Sequence, residues 1–183
     1  MRGRGVGVSP YRRGMTNAPP LVGTEYPTPF GTLAVIVAPE SGVVRASAFS
    51  SLADLIGRLP AALVARGVDP GDHPPVTEAV RAWLSGDADA LMRVPVAQQG
   101  GAFFQRVWEA MRDIPGGTTV TYGELAAAAG NAKAARAAGT ACATNTVAPF
   151  VPCHRVVAST GMGNYGFGLD TKAAMLRMEG VSV

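Results

Sequence analysis

A polar, glycine-containing break at Gln98-Gln99-Gly100-Gly101 divides the chain into halves with different hydrophobic patterns. Before the break, residues 32–38 and 43–49 are short apolar segments separated by the turn-forming Pro39–Gly42, which predicts a β-hairpin. After the break, apolar residues recur mainly at helical spacing. We therefore predict an α/β (α+β) protein: a small N-terminal domain with a β-sheet and helices, and a mostly helical C-terminal domain.

The domain boundaries follow from the same patterns. We place the N-terminal domain at residues 24–97 and the C-terminal domain at residues 102–183. Helical spacing predicts helices near 51–66 and 75–85, with His73 as a surface residue in the loop before the second. A further helix begins at Ala102. Its aromatic residues are more typical of a core than of a base-stacking platform.

Residues 1–23 are rich in glycine, arginine and proline and show no periodicity, so we predict a disordered basic tail. A mis-assigned start upstream of Met15 and a basic arm that touches DNA are the alternatives. No apolar run approaches the length of a membrane span, and no secretory signal is evident. These features predict a cytoplasmic protein that is associated with the nucleoid at most and has no membrane partner.

The charge is unevenly distributed, although the net charge of the 183 residues is only +3. Residues 16–100 carry five arginines and eight acids, whereas residues 101–183 carry seven basic residues and five acids. The positive excess of the folded part thus lies in the C-terminal half, which is compatible with nucleic-acid binding without requiring it. Two cysteines and two distant histidines make a poor zinc site, so we predict no metal.

A helix-turn-helix is predicted at residues 121–143. Thr121-Tyr122-Gly123-Glu124 has the form of a capping box. A short alanine-rich helix follows, breaks at Gly130-Asn131, and is succeeded by a second helix from about Ala132 to Ala143 with Asn131 as its cap. The small side chains of that second helix fit close packing against a neighbour, or close approach to a nucleic-acid groove with a long cation projecting from it.

The segment around Cys153 carries the chemistry. Pro152 forces the preceding residue toward an extended conformation, so Cys153 lies at a stiff break in an apolar run. An isolated cysteine there would usually be an inert core thiol. A directly following histidine and arginine favour a reactive thiol instead, because a thiolate needs a base or a positive charge nearby. We expect Cys142, within the alanine-rich helix, to be structural.

These residues resemble the O6-alkylguanine-DNA alkyltransferases, also called methylated-DNA–protein-cysteine methyltransferases. The similarity covers residues 102–180, and weaker similarity extends over 26–97. The motifs that carry it, in the family's order, are Phe104-Gln105-Arg106-Val107-Trp108, Ile114-Pro115, Thr121-Tyr122-Gly123-Glu124-Leu125-Ala126, Lys133-Ala134-Ala135-Arg136-Ala137, Asn145, Pro152-Cys153-His154-Arg155-Val156, Gly163-Asn164-Tyr165 and Glu179-Gly180.

The resemblance implies DNA repair by direct reversal: one irreversible transfer of a methyl or other alkyl group from O6-alkylguanine, and from O4-alkylthymine, in duplex DNA. It implies that Cys153 is the nucleophile and that His154 is its base, acting through a water. Glu179 would orient His154, and Tyr122 would supply the hydrogen bond at guanine N3. Asn145 would join the second helix to the cysteine segment.

The family's mode of DNA binding is implied as well. A base is flipped out through minor-groove binding, and Arg136 fills the gap. The implied DNA-binding residues are Thr121, Tyr122, Lys133, Ala135 and Arg136. The implied walls of the substrate pocket are Pro149, Val156, Gly163, Tyr165 and Gly166. The loop between Val157 and Gly163 is one residue shorter than in some relatives.

No cofactor is implied, and the expected partner is double-stranded DNA that contains O6-alkylguanine. We expect a monomer and leave cooperativity on DNA open. Two other functions stay in view. An alkyltransferase-like protein recognises the lesion without a nucleophile, and Cys153 argues against it. A cysteine hydrolase would need an oxyanion hole, and no motif for one is evident.

Overall fold

The sheet starts at a strand that the sequence pattern did not predict. The computed structural model describes residues 18–183. The first strand, β1, spans Leu21–Thr28. The predicted disordered tail of residues 1–23 therefore overlaps the start of this strand. Residues 1–17 of that tail lie outside the described range. Leu21 is fully buried. Gly23 and Pro27, which are poor strand formers, conceal this strand in the sequence.

The four-stranded sheet has the order β3-β2-β1-β4. Strands β2 (Gly31–Ala38) and β3 (Val43–Phe49) confirm the predicted hairpin, and β4 spans Val68–Pro70. β1 pairs with β2 and β2 pairs with β3 in antiparallel fashion, whereas β4 pairs parallel to β1. Alternate residues of β2 enter two cores on opposite faces of the sheet, which explains why the strand is a continuous apolar run.

The N-terminal helices are shorter than predicted. The expected helix near 51–66 is two helices, α1 at Leu52–Ile56 and α2 at Ala61–Val64, because Pro60 supplies no backbone donor to continue the first. Helix α3 spans Pro74–Leu84, and a 3₁₀ turn follows at Ala90–Arg93. His73 precedes α3, as predicted, and is half-buried instead of fully exposed.

The C-terminal half is mostly helical, as predicted. Its helices are α4 (Ala102–Arg112), α5 (Tyr122–Ala128), α6 (Ala135–Ala143) and α7 (Leu169–Met178). Two short parallel strands, β5 (Val120–Thr121) and β6 (Val156–Val157), join the segment before α5 to the segment after Cys153. Trp108 of α4 is buried and donates its indole N–H to the Ala141 carbonyl at 2.8 Å. Helix α4 therefore packs against α6, the second helix of the helix-turn-helix.

The two halves share one core across the predicted boundary. One hydrophobic cluster contains Leu33 and Val35 of the sheet together with Val107 of α4 and Val151 of the cysteine segment. The edge of β3 is also extended from the other half, since the Ser47 amide donates to the Thr146 carbonyl at 2.9 Å. The sheet therefore fixes the segment that leads to Cys153. Within residues 18–183, no helix is long and apolar enough to cross a bilayer.

Candidate active site

Cys153 begins a 3₁₀ turn at Cys153–Arg155, directly before β6. Its side chain is almost fully buried, with a residue exposure of 7%. The Asn145 amide nitrogen lies 3.3 Å from the Cys153 sulfur and 2.8 Å from the Val151 carbonyl oxygen, and it donates to both. Asn145 therefore ties the end of α6 to the cysteine segment and presents an N–H to the sulfur.

Gln98 sets the orientation of the Asn145 amide. The Gln98 side-chain nitrogen donates to Asn145 Oδ1 at 3.1 Å, and the Val147 amide donates to the same oxygen at 3.1 Å. Gln98 Oε1 accepts from the Thr146 amide at 2.8 Å. With its oxygen engaged by two donors, Asn145 must turn its NH₂ toward the sulfur. In the sequence, Gln98 is recognisable only as part of the polar break, because nothing local links positions 47 residues apart.

His154 is paired with Glu179, as expected from the family resemblance. Both side chains are 1% exposed, and His154 Nε2 lies 3.0 Å from Glu179 Oε1. A carboxylate only accepts hydrogen bonds, so Nε2 carries the proton and Nδ1 holds the free lone pair. His154 Nδ1 is buried and has no hydrogen-bond partner among residues 18–183. The free nitrogen is thus available as a proton acceptor.

Arg155 connects this pair to the rest of the protein. It is fully buried, and Nε and Nη2 donate to the two oxygens of Glu179 at 3.0 and 2.9 Å. Nη1 and Nη2 also donate to the carbonyls of Ile114 and Ala88, each at 2.6 Å, and Nη1 lies 3.1 Å from Asp89 Oδ1. All N–H groups of the guanidinium are therefore engaged. Nothing in the sequence indicates that Asp89 contacts Arg155.

Burial sets the protonation states at this site. It raises the pKa of the Cys153 thiol, and the Asn145 hydrogen bond and the Lys172 charge oppose that rise only in part. Burial also lowers the pKa of His154, against the opposing influence of Glu179. Burial alone would raise the pKa of Glu179, but hydrogen bonds from His154 and Arg155 hold it below its ordinary value. The resting site is a neutral thiol, a neutral imidazole and a carboxylate.

Lys172 is a further residue that sequence analysis missed. It lies on α7 and is fully buried, and its ammonium donates to the carbonyls of Val156 and Met162 at 2.6 and 2.5 Å. Burial lowers the pKa of Lys172, and the two cysteines oppose that shift. The lysine therefore fastens the loop after β6 to the cysteine segment and places a positive charge close to Cys153.

A cleft of about 910 Å³ opens beside the sulfur. Its lining includes Cys153, Tyr122, Arg136, Ala135, Asn145, Gly163, Tyr165 and Gly166 from the predicted sets. Pro149 and Val156 were also predicted to wall this pocket, but neither is among the residues that line the cleft. Both are buried in the protein and lie outside the cleft lining, because the Pro152 turn directs Val156 into the core.

Tyr122 packs closely against the loop after β6. A β-carbon at Gly163 would lie only 3.0 Å from the Tyr122 hydroxyl oxygen, and Gly163 has a φ of +70°. A larger residue would therefore be strained and would push the tyrosine away. Burial raises the pKa of Tyr122, so its hydroxyl remains protonated and can donate a hydrogen bond into the cleft.

Cys142 also lines the cleft, and burial strongly raises the pKa of its thiol.

The helix-turn-helix borders the same cleft. The predicted capping box is present: Thr121 Oγ1 accepts from the Glu124 amide at 3.2 Å, and Glu124 Oε2 accepts from the Thr121 amide at 2.7 Å. The predicted start of the second helix at Ala132 is wrong. Helix α6 starts at Ala135, because Asn131 accepts from the Lys133 amide and caps a turn instead of the helix.

The predicted DNA contacts take different positions around the cleft. Arg136 is exposed and Ala135 is half-buried, and both line the cleft. Lys133 is exposed in the preceding turn, outside the cleft lining. Thr121 is half-buried, and its hydroxyl is used by the capping box. Among the residues that the structure describes, no three His, Cys, Asp or Glu side chains converge as metal ligands.

Comparison with known proteins matches these elements to one family. Residues 102–181 match the model of the 6-O-methylguanine DNA methyltransferase DNA-binding domain. The bifunctional transcriptional activator/DNA repair enzyme Ada of Escherichia coli is 47% identical over 92 residues, which are 50% of this chain and 26% of Ada. The methylated-DNA–protein-cysteine methyltransferase of Methanosarcina acetivorans is 42% identical over 102 residues, 55% of this chain and 65% of that protein.

A solved structure extends the match to both halves of the chain. The crystal structure of Mycobacterium tuberculosis OGT in complex with DNA is 31% identical, with a TM-score of 0.69. The alignment covers 86% of this chain and 92% of the crystallised chain. By contrast, the chain covers less than two thirds of the length of the two curated relatives.

Proposed function

Since this chain belongs to the family of methylated-DNA–protein-cysteine methyltransferases, we propose that it repairs DNA by taking an alkyl group from guanine O6 onto Cys153. The observation that carries this proposal is a buried thiol with an adjacent His154–Glu179 pair, lining a cleft bordered by a helix-turn-helix. The presence of Cys153 favours this function over an alkyltransferase-like protein that only recognises the lesion.

The proton path starts at the thiol. His154 Nδ1 accepts the thiol proton through a bridging water, while Glu179 orients the ring and is itself held in place by Arg155. The thiolate then attacks the alkyl carbon in line with the bond to O6. The S–C bond forms, the C–O6 bond breaks, and the electron pair stays on guanine. Burial disfavours the thiolate, and Asn145 and Lys172 stabilise it until the attack takes place.

The leaving guanine needs a proton or a strong hydrogen bond as O6 becomes a carbonyl. Tyr122 fits this role because its protonated hydroxyl lies in the cleft beside Gly163. The thiol loses one proton to His154 and guanine gains one from Tyr122. His154 then releases its proton to solvent and Tyr122 regains one from solvent, so both side chains end neutral and the reaction needs no cofactor. The thioether product has no good leaving group, so each molecule reacts once.

Intact-mass measurement tests the proposal directly. The protein is incubated with a duplex that contains one O6-methylguanine, and its mass should rise by one methylene unit, with the modification on the peptide that contains Cys153. An unmodified duplex is the control. No mass increase, or a modification elsewhere, would overturn the assignment.

Base flipping is the second part of the proposal, because O6 of a stacked guanine lies inside the duplex. Arg136 is exposed at the edge of the cleft, and the small residues of α6 beside it permit close approach to DNA. We propose that Arg136 enters the stack through the minor groove and holds the base in its flipped position.

Replacement of Arg136 by alanine should slow repair of duplex DNA by about tenfold or more, since unstacking costs a few kcal/mol. Reaction with free O6-benzylguanine should change little, because a free base needs no flipping. Single-turnover rates with both substrates measure the difference. Arg81→Ala is a matched control, because Arg81 is an exposed arginine of α3 and does not line the cleft. Equal losses on both substrates would exclude the flipping role.

The pH dependence should show a broad plateau. Burial lowers the pKa of His154 from 6.5 and raises that of Cys153 from 9.0, so neutral thiol and neutral imidazole coexist at least between these values. We expect the transfer rate to be constant from pH 6.5 to 9.0 and to fall below that range as His154 gains a proton. In His154→Ala, the rate should instead rise about tenfold per pH unit, following the thiolate fraction. Parallel profiles of the two proteins would contradict the role of His154 as base.

A further inference from the structure

A second cavity lies beside the cleft, at the edge of strand β3. Residues 95–97 and residues 146–148 both run along this edge, where backbone hydrogen bonds hold them to Val44 and Ser47. The segment from α1 to α2 closes a cavity of about 140 Å³ beside them. Three leucines of that segment form an apolar wall: Leu55, Leu59 and Leu63. None of the functions assigned above uses this space.

Arg45 reaches this cavity because it is the extra residue of a β-bulge in β3. Val37 pairs with Val44 and Ile36 pairs with Ala46, so Arg45 has no partner on β2. In a regular strand, Val44 and Ala46 would share a face, but here they enter the cores on opposite faces of the sheet. The bulge therefore takes Arg45 out of the alternation, and its side chain lines the cavity.

The positive charge of the cavity is not balanced by its walls. Arg45 of β3 and Arg58 after α1 both line it, and the lining contains no acidic residue. Within residues 18–183, Arg45 Nε is buried without a hydrogen-bond partner, and neither arginine belongs to an ion pair. Two guanidinium groups that line one cavity without an acceptor are costly, so their positions favour a bound anion.

The volume and the walls define the ligand that fits. An apolar protein cavity of about 150 Å³ holds one benzene molecule. The cavity beside β3, at about 140 Å³, therefore admits a single ring or a short branched chain. The leucine wall suits such an apolar body, and the two arginines suit a carboxylate attached to it. Inorganic phosphate lacks the apolar part, and a phosphodiester needs an open groove because its chain continues in two directions.

We propose that this cavity binds small monocarboxylates whose apolar body is one ring or a short branched chain. The guanidinium groups of Arg45 and Arg58 bind the carboxylate, and the leucine wall surrounds the apolar body. The ligand contacts β3 together with residues 97–99 and 145–146, so its binding stabilises the packing of the two halves of the protein. This binding is separate from alkyl transfer and does not depend on the proposed function.

Calorimetric titration of the whole protein tests this site with three probes: benzoate, the neutral and nearly isosteric benzamide, and inorganic phosphate. We expect benzoate to bind about tenfold or more tightly than benzamide, because the carboxylate gains charge-assisted hydrogen bonds. Phosphate should bind about tenfold or more weakly than benzoate, because it gains nothing from the leucine wall. Saturating benzoate should raise the melting temperature, as expected of a ligand that binds only the folded protein.

Two variants test whether the ligand lies in this cavity. In Arg45→Gln, the affinity for benzoate should fall about tenfold or more, and the affinity for benzamide should stay within about twofold. In Leu59→Trp, which fills the cavity without changing its charge, both ligands should bind about tenfold or more weakly. Arg81→Gln, at an exposed arginine of α3, is the matched control and should bind benzoate like the unmodified protein.

Three results would overturn the proposal: equal affinity for benzoate and benzamide, equal affinity for benzoate and phosphate, or unchanged benzoate affinity in Arg45→Gln. Displacement of benzoate by undamaged duplex DNA would also overturn it, because the arginines would then belong to the DNA-binding surface. Single-turnover methyl transfer is measured separately. Its failure would reject the proposed function and leave the binding result unaffected.

Discussion

Replacing Cys153 with serine is expected to abolish alkyl transfer and to leave the fold and DNA binding nearly unchanged. A serine hydroxyl is far less acidic than a thiol and is a much poorer nucleophile toward a saturated carbon. Sulfur and oxygen differ little in size, and among the described residues the Cys153 side chain makes one hydrogen bond, from Asn145. A labelled-methyl transfer assay beside a gel-shift measurement separates loss of chemistry from loss of binding.

Cys142 provides the matched control, because it is the other thiol of the chain and also lines the cleft. Burial strongly raises the pKa of Cys142, and no base accompanies it as His154 accompanies Cys153. Cys142→Ser should therefore still accept label. Titration of the unmodified protein should end at one repaired lesion per molecule. Label on Cys142, or repair beyond one equivalent, would contradict the single-turnover assignment of Cys153.

The second large effect is expected on stability. Arg155→Met should lower the free energy of unfolding by about 3–5 kcal/mol, the usual cost of removing one partner from a buried ion pair. The Glu179 carboxylate would remain buried with only His154 as a partner, and the carbonyls of Ala88 and Ile114 would lose their donors. Chemical denaturation at neutral pH measures the difference.

Arg155→Lys should recover only part of this loss, because an ammonium cannot reproduce the planar set of donors that engages Glu179, Asp89 and two carbonyls. Arg177→Met is the control, since Arg177 is exposed and, within residues 18–183, donates only to the Val183 carbonyl. A loss below about 1 kcal/mol for Arg155→Met would show that the guanidinium is not a main support of the fold.

Local patterns in the sequence were sufficient for much of the fold. The β2–β3 hairpin, α3, α4 and the Thr121 capping box all follow from periodicity and from residues with strong backbone preferences. The errors also have local causes. Strand β1 was missed because Gly23 and Pro27 weaken its pattern, and α6 was started too early because Asn131 caps a turn. The first error came from a strand whose own pattern is weak, and the second from a turn cap that has the same sequence signal as a helix cap.

In the candidate site too, some residues were indicated by the sequence and others were shown only by the structure. Cys153, His154 and Arg155 are adjacent, so the sequence by itself determined that a thiol, a base and a cation meet there. The roles of Gln98, Asp89 and Lys172, and the exclusion of Pro149 and Val156 from the cleft, were decided only by the tertiary structure. The physical reason is how far apart the interacting residues lie along the chain. A turn places neighbouring residues by backbone geometry, whereas the Arg155–Asp89 pair spans 66 positions and forms only when the two halves pack on one core.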